Sequence, residues 1–200
     1  NLGKTLDLGC GSGRLYRALV KESKSFEHFY GADFAESMLK LHPKAKNIEL
    51  LSADFNTEES FAQLRKLGAE TLLSASALQW AKDIDFTLEQ CATLAPFAGL
   101  FLFCSGTFKT LHKSVGLRSP IHSCEKIESA FKSHYKAAKI EKYNFSLPFA
   151  TTLDMLRYIK LSGVSGNLQL SYTQMKHILE NYPLKYLEFE TILLTGESRC

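Results

Sequence analysis

Residues 6–15, Leu-Asp-Leu-Gly-Cys-Gly-Ser-Gly-Arg-Leu, decide the fold. The apolar run from Lys4 to Leu8 stops at Gly9 and reads as a short buried strand. Glycines follow at alternate positions, Gly9, Gly11 and Gly13. From Ser12 to Glu22, Leu15, Leu19 and Val20 then fall near one face, as in a helix opened by Ser12. The order is strand, glycine turn, helix, and the question is what the turn holds. A phosphate loop needs a lysine after its last glycine, and Arg14 follows Gly13. A dinucleotide fingerprint needs its third glycine at position 14, where the bulk of Arg14 obstructs the close approach that glycine permits.

The same rhythm continues downstream. Residues 26–34, 48–55, 70–80 and 99–106 read as further strands, with helices between them at 35–42, 57–67 and 85–94. The second of these helices has the acidic start Thr57-Glu58-Glu59-Ser60, and Pro43 stops the first. Strands alternating with helices of this length predict a doubly wound parallel sheet covered on both faces. After Gly106 the pattern changes to a basic, partly helical segment running to about Tyr135. A strand over 138–147, helices over 152–161 and 173–181, and a strand over 187–195 complete the chain. The expectation is one α/β domain over residues 1–200. It has a Rossmann-like, mostly parallel seven-stranded sheet with an antiparallel edge, and a lid-like helical insertion over 106–135.

The bulk properties fit one globular domain: 200 residues, 45% hydrophobic, 22% charged. No apolar run approaches the ~20 residues that span a bilayer, and nothing reads as a signal peptide. The five cysteines, Cys10, Cys91, Cys104, Cys124 and Cys200, form no CxxC pair. They signal neither a zinc site nor a disulfide framework, which predicts a reduced, cytoplasmic protein without metal. The net charge is only +3, yet Gly106 to Tyr143 holds eight Lys/Arg against three Glu, leaving the rest of the chain at −2. That segment reads either as a solvated helical face or as a docking surface for an acidic partner. With few interleaved aromatics and a pI of about 8.5, it does not read as a nucleic-acid footprint.

Two acids complete the loop's signal. Asp33 ends the second strand, 20 residues after Gly13, where a carboxylate can accept from both hydroxyls of a ribose. Asp54 ends the third strand, with Phe55 beside it as a surface for a base. Each acid has a structural alternative as a cap, Asp33 for the helix after it and Asp54 before Thr57. The arrangement Asp7-x-Gly9-x-Gly11-x-Gly13 resembles the first motif of the class I S-adenosylmethionine-dependent methyltransferases. That resemblance implies S-adenosylmethionine as cofactor, held by Asp7, Gly9, Cys10, Gly11, Gly13, Asp33, Phe34, Asp54 and Phe55. In it, Asp54 accepts from the adenine amino group.

The fourth strand runs into Ser76-Ala77-Leu78-Gln79-Trp80. It lacks the Asn/Asp-Pro-Pro-Tyr/Phe motif of nucleic-acid amino-methyltransferases, and no Pro-Cys nucleophile stands anywhere. This stretch and Leu94-Ala95-Pro96-Phe97-Ala98-Gly99 resemble malonyl-acyl-carrier-protein O-methyltransferases of biotin synthesis. So do residues 108–116, Phe-Lys-Thr-Leu-His-Lys-Ser-Val-Gly, and the late helix over 151–166. The resemblance covers nearly the whole chain, and only the cofactor motifs are specific in themselves. An N-terminal segment that covers the cofactor in such enzymes is missing from this sequence. The resemblance implies methyl transfer to the free carboxylate of a malonyl thioester on an acidic acyl-carrier protein, and a monomer is the expected state. A carboxylate is ionised at neutral pH, so alignment and water exclusion replace a general base. Gln79 and Trp80 are the residues placed nearest the methyl group. Arg118, Arg157, His112 and His122 are candidates to bind the carboxylate, and Tyr16, at the start of the helix after the loop, is a candidate to touch the cofactor or else a partly buried helix residue. The alternatives are a methyltransferase with another small acceptor and a non-catalytic cofactor-binding protein.

Overall fold

The computed structural model describes residues 1–162 and 170–200. The last four residues of the late-helix stretch, 163–166, lie outside the described residues. Seven strands form one sheet in the order β3-β2-β1-β4-β5-β7-β6. They are β1 (Lys4–Leu8), β2 (His28–Asp33), β3 (Ile48–Ser52), β4 (Thr71–Ala75), β5 (Phe97–Phe103), β6 (Tyr135–Pro148) and β7 (Tyr186–Ser198). β1 pairs in parallel with β2 and β4, β2 with β3, and β4 with β5. The antiparallel edge is made by β7, which runs against both β5 and β6.

The central strands are apolar on both sides because helices cover both faces. In β1, Thr5 to Leu8 are all buried. The edge strand β6 is exposed along most of its length and carries Lys136, Lys139 and Lys142. Such charges discourage edge-to-edge pairing. A register shift between Lys136 and Lys139 bends it further.

The helices are α1 (Arg14–Lys21), α2 (Glu36–Leu39), α3 (Glu58–Leu64), α4 (Ile84–Ala92), α5 (Lys109–Ser114), α6 (Cys124–His134), α7 (Thr152–Ser162) and α8 (Tyr172–Asn181). Side-chain caps start several of them: Thr57 accepts from Ser60 N–H, Asp83 from Asp85 and Phe86 N–H, and Ser123 from Lys126 N–H. α8 begins with a reciprocal capping box between Ser171 and Gln174. Two sequence expectations are corrected here. α1 is opened by Gly13 in the left-handed region, without a side-chain cap, and not by Ser12. α2 is a single turn that ends at Leu39, well before Pro43.

Two apolar clusters hold the chain together. The larger spans the sheet with α3, α4 and α6, through residues such as Leu6, Leu72, Leu88, Leu100 and Phe131. The smaller joins α5, α7, α8 and β7 through Phe108, Leu111, Met155, Ile159, Ile178, Leu187 and Phe189. The change of rhythm after Gly106 is therefore the start of this second cluster, laid against the end of the sheet.

A disulfide between Cys104 and Cys124 corrects the expectation of a fully reduced chain. It ties the residue after β5 to the first residue of α6. Irregular spacing hid it, because the sheet and not the sequence interval brings the two together. Among the described residues, Cys10, Cys91 and Cys200 are free, and no helix is long and apolar enough to cross a membrane.

Candidate functional site

The site lies at the carboxyl ends of the parallel strands, where open α/β sheets bind ligands. Gly9, Gly11 and Gly13 all have positive φ, at 79°, 52° and 82°. At two of them space adds a second constraint. A Cβ on Gly9 would lie 2.2 Å from Ala77 Cβ, and one on Gly13 would lie 2.7 Å from both the His42 ring and Pro43. Over Gly11 a Cβ would meet nothing within 4 Å, so the loop presents bare backbone to an open space.

Asp33, at the end of β2, fastens this loop. Its Oδ2 accepts from Gly11 N–H at 2.8 Å and its Oδ1 from Ala35 N–H at 2.8 Å. It is not the cap of α2, since the N-cap there is Ala35. Asp7, at the end of β1, is 1% exposed and its Oδ2 has no hydrogen-bond partner. Burial, with the charge of Asp33 second, pushes its pKa up to about 7. Asp54 accepts from the backbone and side-chain N–H groups of Asn56, at 2.9 and 2.8 Å. Thr57, not Asp54, caps α3.

Three acids at three successive strand ends suit a cationic ligand and would repel a pyrophosphate. The orphaned Asp7 oxygen and the open backbone at Gly11 fit a nucleoside that carries an amino-acid arm and positive charge, as S-adenosylmethionine does. Asp7 would face the ammonium group, and Asp33 and Asp54 the ribose and base edges.

The other loop residues divide by burial. Cys10 is buried, and desolvation holds its thiol pKa far above normal, so it contributes shape and no chemistry. Phe55 is 7% exposed and belongs to the main core. The expectation that it offers a stacking face is corrected: packing has already claimed its ring. Phe34, next to Asp33, is 68% exposed and is the aromatic surface available there. Tyr16 packs its ring on Phe26, Phe29 and His42. The sequence reading missed His42, which is buried between Gly13 and Gly31 with Nδ1 against Pro43 O at 2.9 Å. Only the tertiary contact of the segment after α2 with the glycine loop reveals it.

The contact of Gly9 with Ala77 joins the loop to the turn after β4, which carries Gln79 and Trp80. Gln79 is buried, its Nε2 donating to Ser76 O at 2.8 Å and its Oε1 left without a partner. Trp80 lines a small pocket with Thr107, Phe108, His112 and residues 119–121. His112 is 7% exposed, and burial holds its imidazole pKa below the usual value. His122 is tied to Ala81 O through Nε2 at 2.7 Å and so secures the same turn.

The candidate arginines lie elsewhere. Arg118 is exposed and adjacent to Ser119 of the pocket wall. Arg157 is exposed on α7 and pairs with Asp154 at 3.2 Å, and it is not among the pocket-lining residues. The basic segment also divides. Lys132 and Lys142 both pair with Glu128, at 2.5 and 2.7 Å, and Lys139 pairs with Glu141 at 2.7 Å. Lys109 and Lys113 on α5, with Arg118, stay exposed beside the pocket and make no ion pair among the described residues.

Residues 6–100 match the family described as a methyltransferase domain. The malonyl-[acyl-carrier protein] O-methyltransferase of Bacteroides fragilis is 24% identical over 179 residues, covering 88% of this chain and 36% of that protein. The protein of the same name from Bacteroides thetaiotaomicron is 26% identical over 190 residues, covering 92% of this chain and 71% of that one. The human mitochondrial arginine-hydroxylase NDUFAF5 is 27% identical over 201 residues, covering 100% of this chain and 52% of that protein. The chain thus spans 36%, 71% and 52% of the length of these three relatives. Among solved structures, YcgJ from Bacillus subtilis superposes with a TM-score of 0.66 at 13% identity, covering 98% of this chain and 92% of that one. Phosphoethanolamine N-methyltransferase 2 of Haemonchus contortus, solved with S-adenosylhomocysteine, gives 0.56 at 14% identity, covering 98% and 49%. The family match over residues 6–100, the acidic glycine loop and these likenesses together support a methyltransferase that uses S-adenosylmethionine.

Proposed function

We propose that the chain is a carboxyl O-methyltransferase that esterifies the free carboxylate of a malonyl thioester on an acyl-carrier protein, a step of biotin synthesis in the cytoplasm. The observation that carries the reading is the pocket of Trp80 and His112. It is joined to the glycine loop through Ala77 and flanked by the unpaired cations Lys109, Lys113 and Arg118. Such a surface suits an acidic carrier, whose encounter it would speed in a salt-sensitive way. Residues 106–123 would act as the lid over this pocket, anchored where the disulfide ties Cys104 to Cys124, while α6 stays packed in the main core.

When bound, S-adenosylmethionine supplies an electrophilic methyl group on a sulfonium. The acceptor carboxylate arrives ionised, so the chain needs to supply no base. Its residues bind and orient: the glycine backbone with Asp7, Asp33 and Asp54 holds the donor, and the Trp80 turn walls the acceptor. Holding both partners in line and dry can lower the barrier by roughly 7–11 kcal/mol.

The test mixes the protein with radiolabelled S-adenosylmethionine and either malonyl-carrier protein, malonyl-coenzyme A or free malonate. Base-labile label on the malonyl-carrier protein is the expected result. No label on any of the three, with cofactor binding intact, would overturn the reading and favour another acceptor, a binding-only protein or chemistry like that named for the human relative.

A further inference from the structure

We propose that Asn56 is a positioning residue that links the cofactor site to the acceptor turn: its side-chain amide ties the carboxylate of Asp54 to the backbone next to Trp80. This rests on the readings of Asp54 as a cofactor ligand and of the Trp80 turn as the acceptor wall. Asn56 Nδ2 donates to Asp54 Oδ1 at 2.8 Å, and Asn56 Oδ1 accepts from Lys82 N–H at 2.8 Å. The two ends of one planar amide therefore bridge the loop after β3 and the turn after β4. Chemistry fixes its orientation. Flipped, the amide would set its oxygen against a carboxylate and its NH2 group against a backbone N–H. The bridge continues into the lid. Ala81, the neighbour of Lys82, accepts from His122 Nε2 at 2.7 Å, and His122 O accepts from Ser105 N–H at 2.9 Å. A bonded series thus runs from Asp54 through Asn56, Lys82 and Ala81 to His122, beside the disulfide at Cys124.

The loop that carries Asp54 does not need this amide for its shape. Asp54 N–H donates to Ser60 Oγ at 3.0 Å, Thr57 N–H to Asp54 O at 3.1 Å, and Thr87 Oγ1 to Phe55 O at 3.3 Å. With the backbone held by those bonds, the amide is left to set the plane of the Asp54 carboxylate and the position of Lys82. Both bonds from Asn56 fall on Asp54 Oδ1. Oδ2 accepts none among the described residues and is the oxygen open to a ligand. A bound cofactor that fixes Oδ2 fixes the carboxylate plane, and with it the amide and Lys82 N–H. Ordering done by one ligand lowers the cost of ordering for the next. The cofactor therefore presets the turn and lid that receive the acceptor.

The experiment follows amide hydrogen exchange at Lys82 by NMR, and tryptic cleavage after the exposed lid residues Lys109, Lys113 and Arg118. Each is measured with and without saturating S-adenosylhomocysteine. Neither readout needs an acceptor, so failure of methyl transfer to malonyl-carrier protein leaves both intact and the two readings fall separately. In the parent the ligand should slow both processes about 10-fold. Asn56→Ala should lose both effects while calorimetry still shows saturable binding of S-adenosylhomocysteine, which also establishes that it folds. Asn56→Asp keeps an acceptor for Lys82 N–H but sets two carboxylates together. Its Lys82 exchange without ligand should stay within about 3-fold of the parent, and the slowing by ligand should be lost. This variant decides the question if the alanine variant does not fold. His122→Phe cuts the series beyond Lys82, so protection of Lys82 should remain and that of the lid should vanish. Equal slowing by ligand in the parent and the Asn56 variants, or no slowing in a parent that binds the ligand, would overturn the proposal. A parent that binds no S-adenosylhomocysteine would overturn it together with the assignment of Asp54 to the cofactor.

Discussion

Replacing Asp7 by Asn should stabilise the ligand-free protein at pH 8 while weakening its grip on the cofactor. Asp7 is buried with one oxygen unpartnered, and its pKa rises from 3.8 to about 7. At 1.36 kcal/mol per pKa unit this withholds about 4 kcal/mol from the fold once the group is ionised. The sign follows from the direction. A raised carboxyl contributes its full stability below pH 3.8 and loses it as the pH climbs through about 7. An amide in the same place escapes that loss, but its own unpartnered atoms cost roughly 1–3 kcal/mol. The variant should therefore be less stable than the parent near pH 4 and more stable by about 1–3 kcal/mol at pH 8. Urea unfolding of both ligand-free proteins from pH 4 to 8 measures the difference, and calorimetry with S-adenosylhomocysteine measures the opposite effect. Parental affinity should increase as Asp7 ionises, whereas the variant's affinity should be lower and nearly flat with pH. A variant destabilised equally at pH 4 and pH 8, or an affinity unaffected by the substitution, would refute the assignment of Asp7 to the cofactor's ammonium.

Three further outcomes are expected. Phe55→Ala should cost about 3–5 kcal/mol of stability, since it removes a core ring, whereas Phe34→Ala should leave unfolding unchanged and weaken cofactor binding. Paired urea and binding curves check this. Cys124→Ala should lower stability by about 3 kcal/mol, the entropy of closing a loop of this size, and dithiothreitol should destabilise the parent but not the variant. Reversing Lys109, Lys113 and Arg118 to Glu should raise KM for the malonyl-carrier protein at least 10-fold at low salt, with malonyl-pantetheine unaffected. Lys132→Ala, whose ammonium is held in an ion pair with Glu128, should leave both KM values near the parent's. Equal effects of the two changes would deny a docking role to the exposed trio.

Most of the cofactor half was legible because its signals are local. A strand that must stop at Gly9, positive φ at alternate residues, and acids at strand ends are short-range requirements, and the residues that meet them stand close together in the chain. Helix boundaries were less legible where a tertiary contact overrides the local cap. Gly13 opens α1 in place of Ser12, in a left-handed conformation where His42 and Pro43 also leave no room for a side chain. The pairing of Cys104 with Cys124 was invisible for a related reason: their closeness depends on where β5 ends and α6 returns.

The sequence by itself determined the class of fold, the succession of its first five strands along the chain, and the glycine loop with Asp7, Asp33 and Asp54. These follow from periodicity, from backbone conformations that favour glycine, and from the charge a ligand must complement. Only the tertiary structure decided which side chains remain available. Asp7 and Phe55 are both apparent loop residues, yet one is left with an orphaned oxygen and the other is consumed by the core. Likewise His112 is enclosed beside Trp80 while Arg157 is turned to its own helix. Burial and partnership arise from packing between elements far apart in the chain, and they distinguish a group that can bind a ligand from one already bonded within the protein.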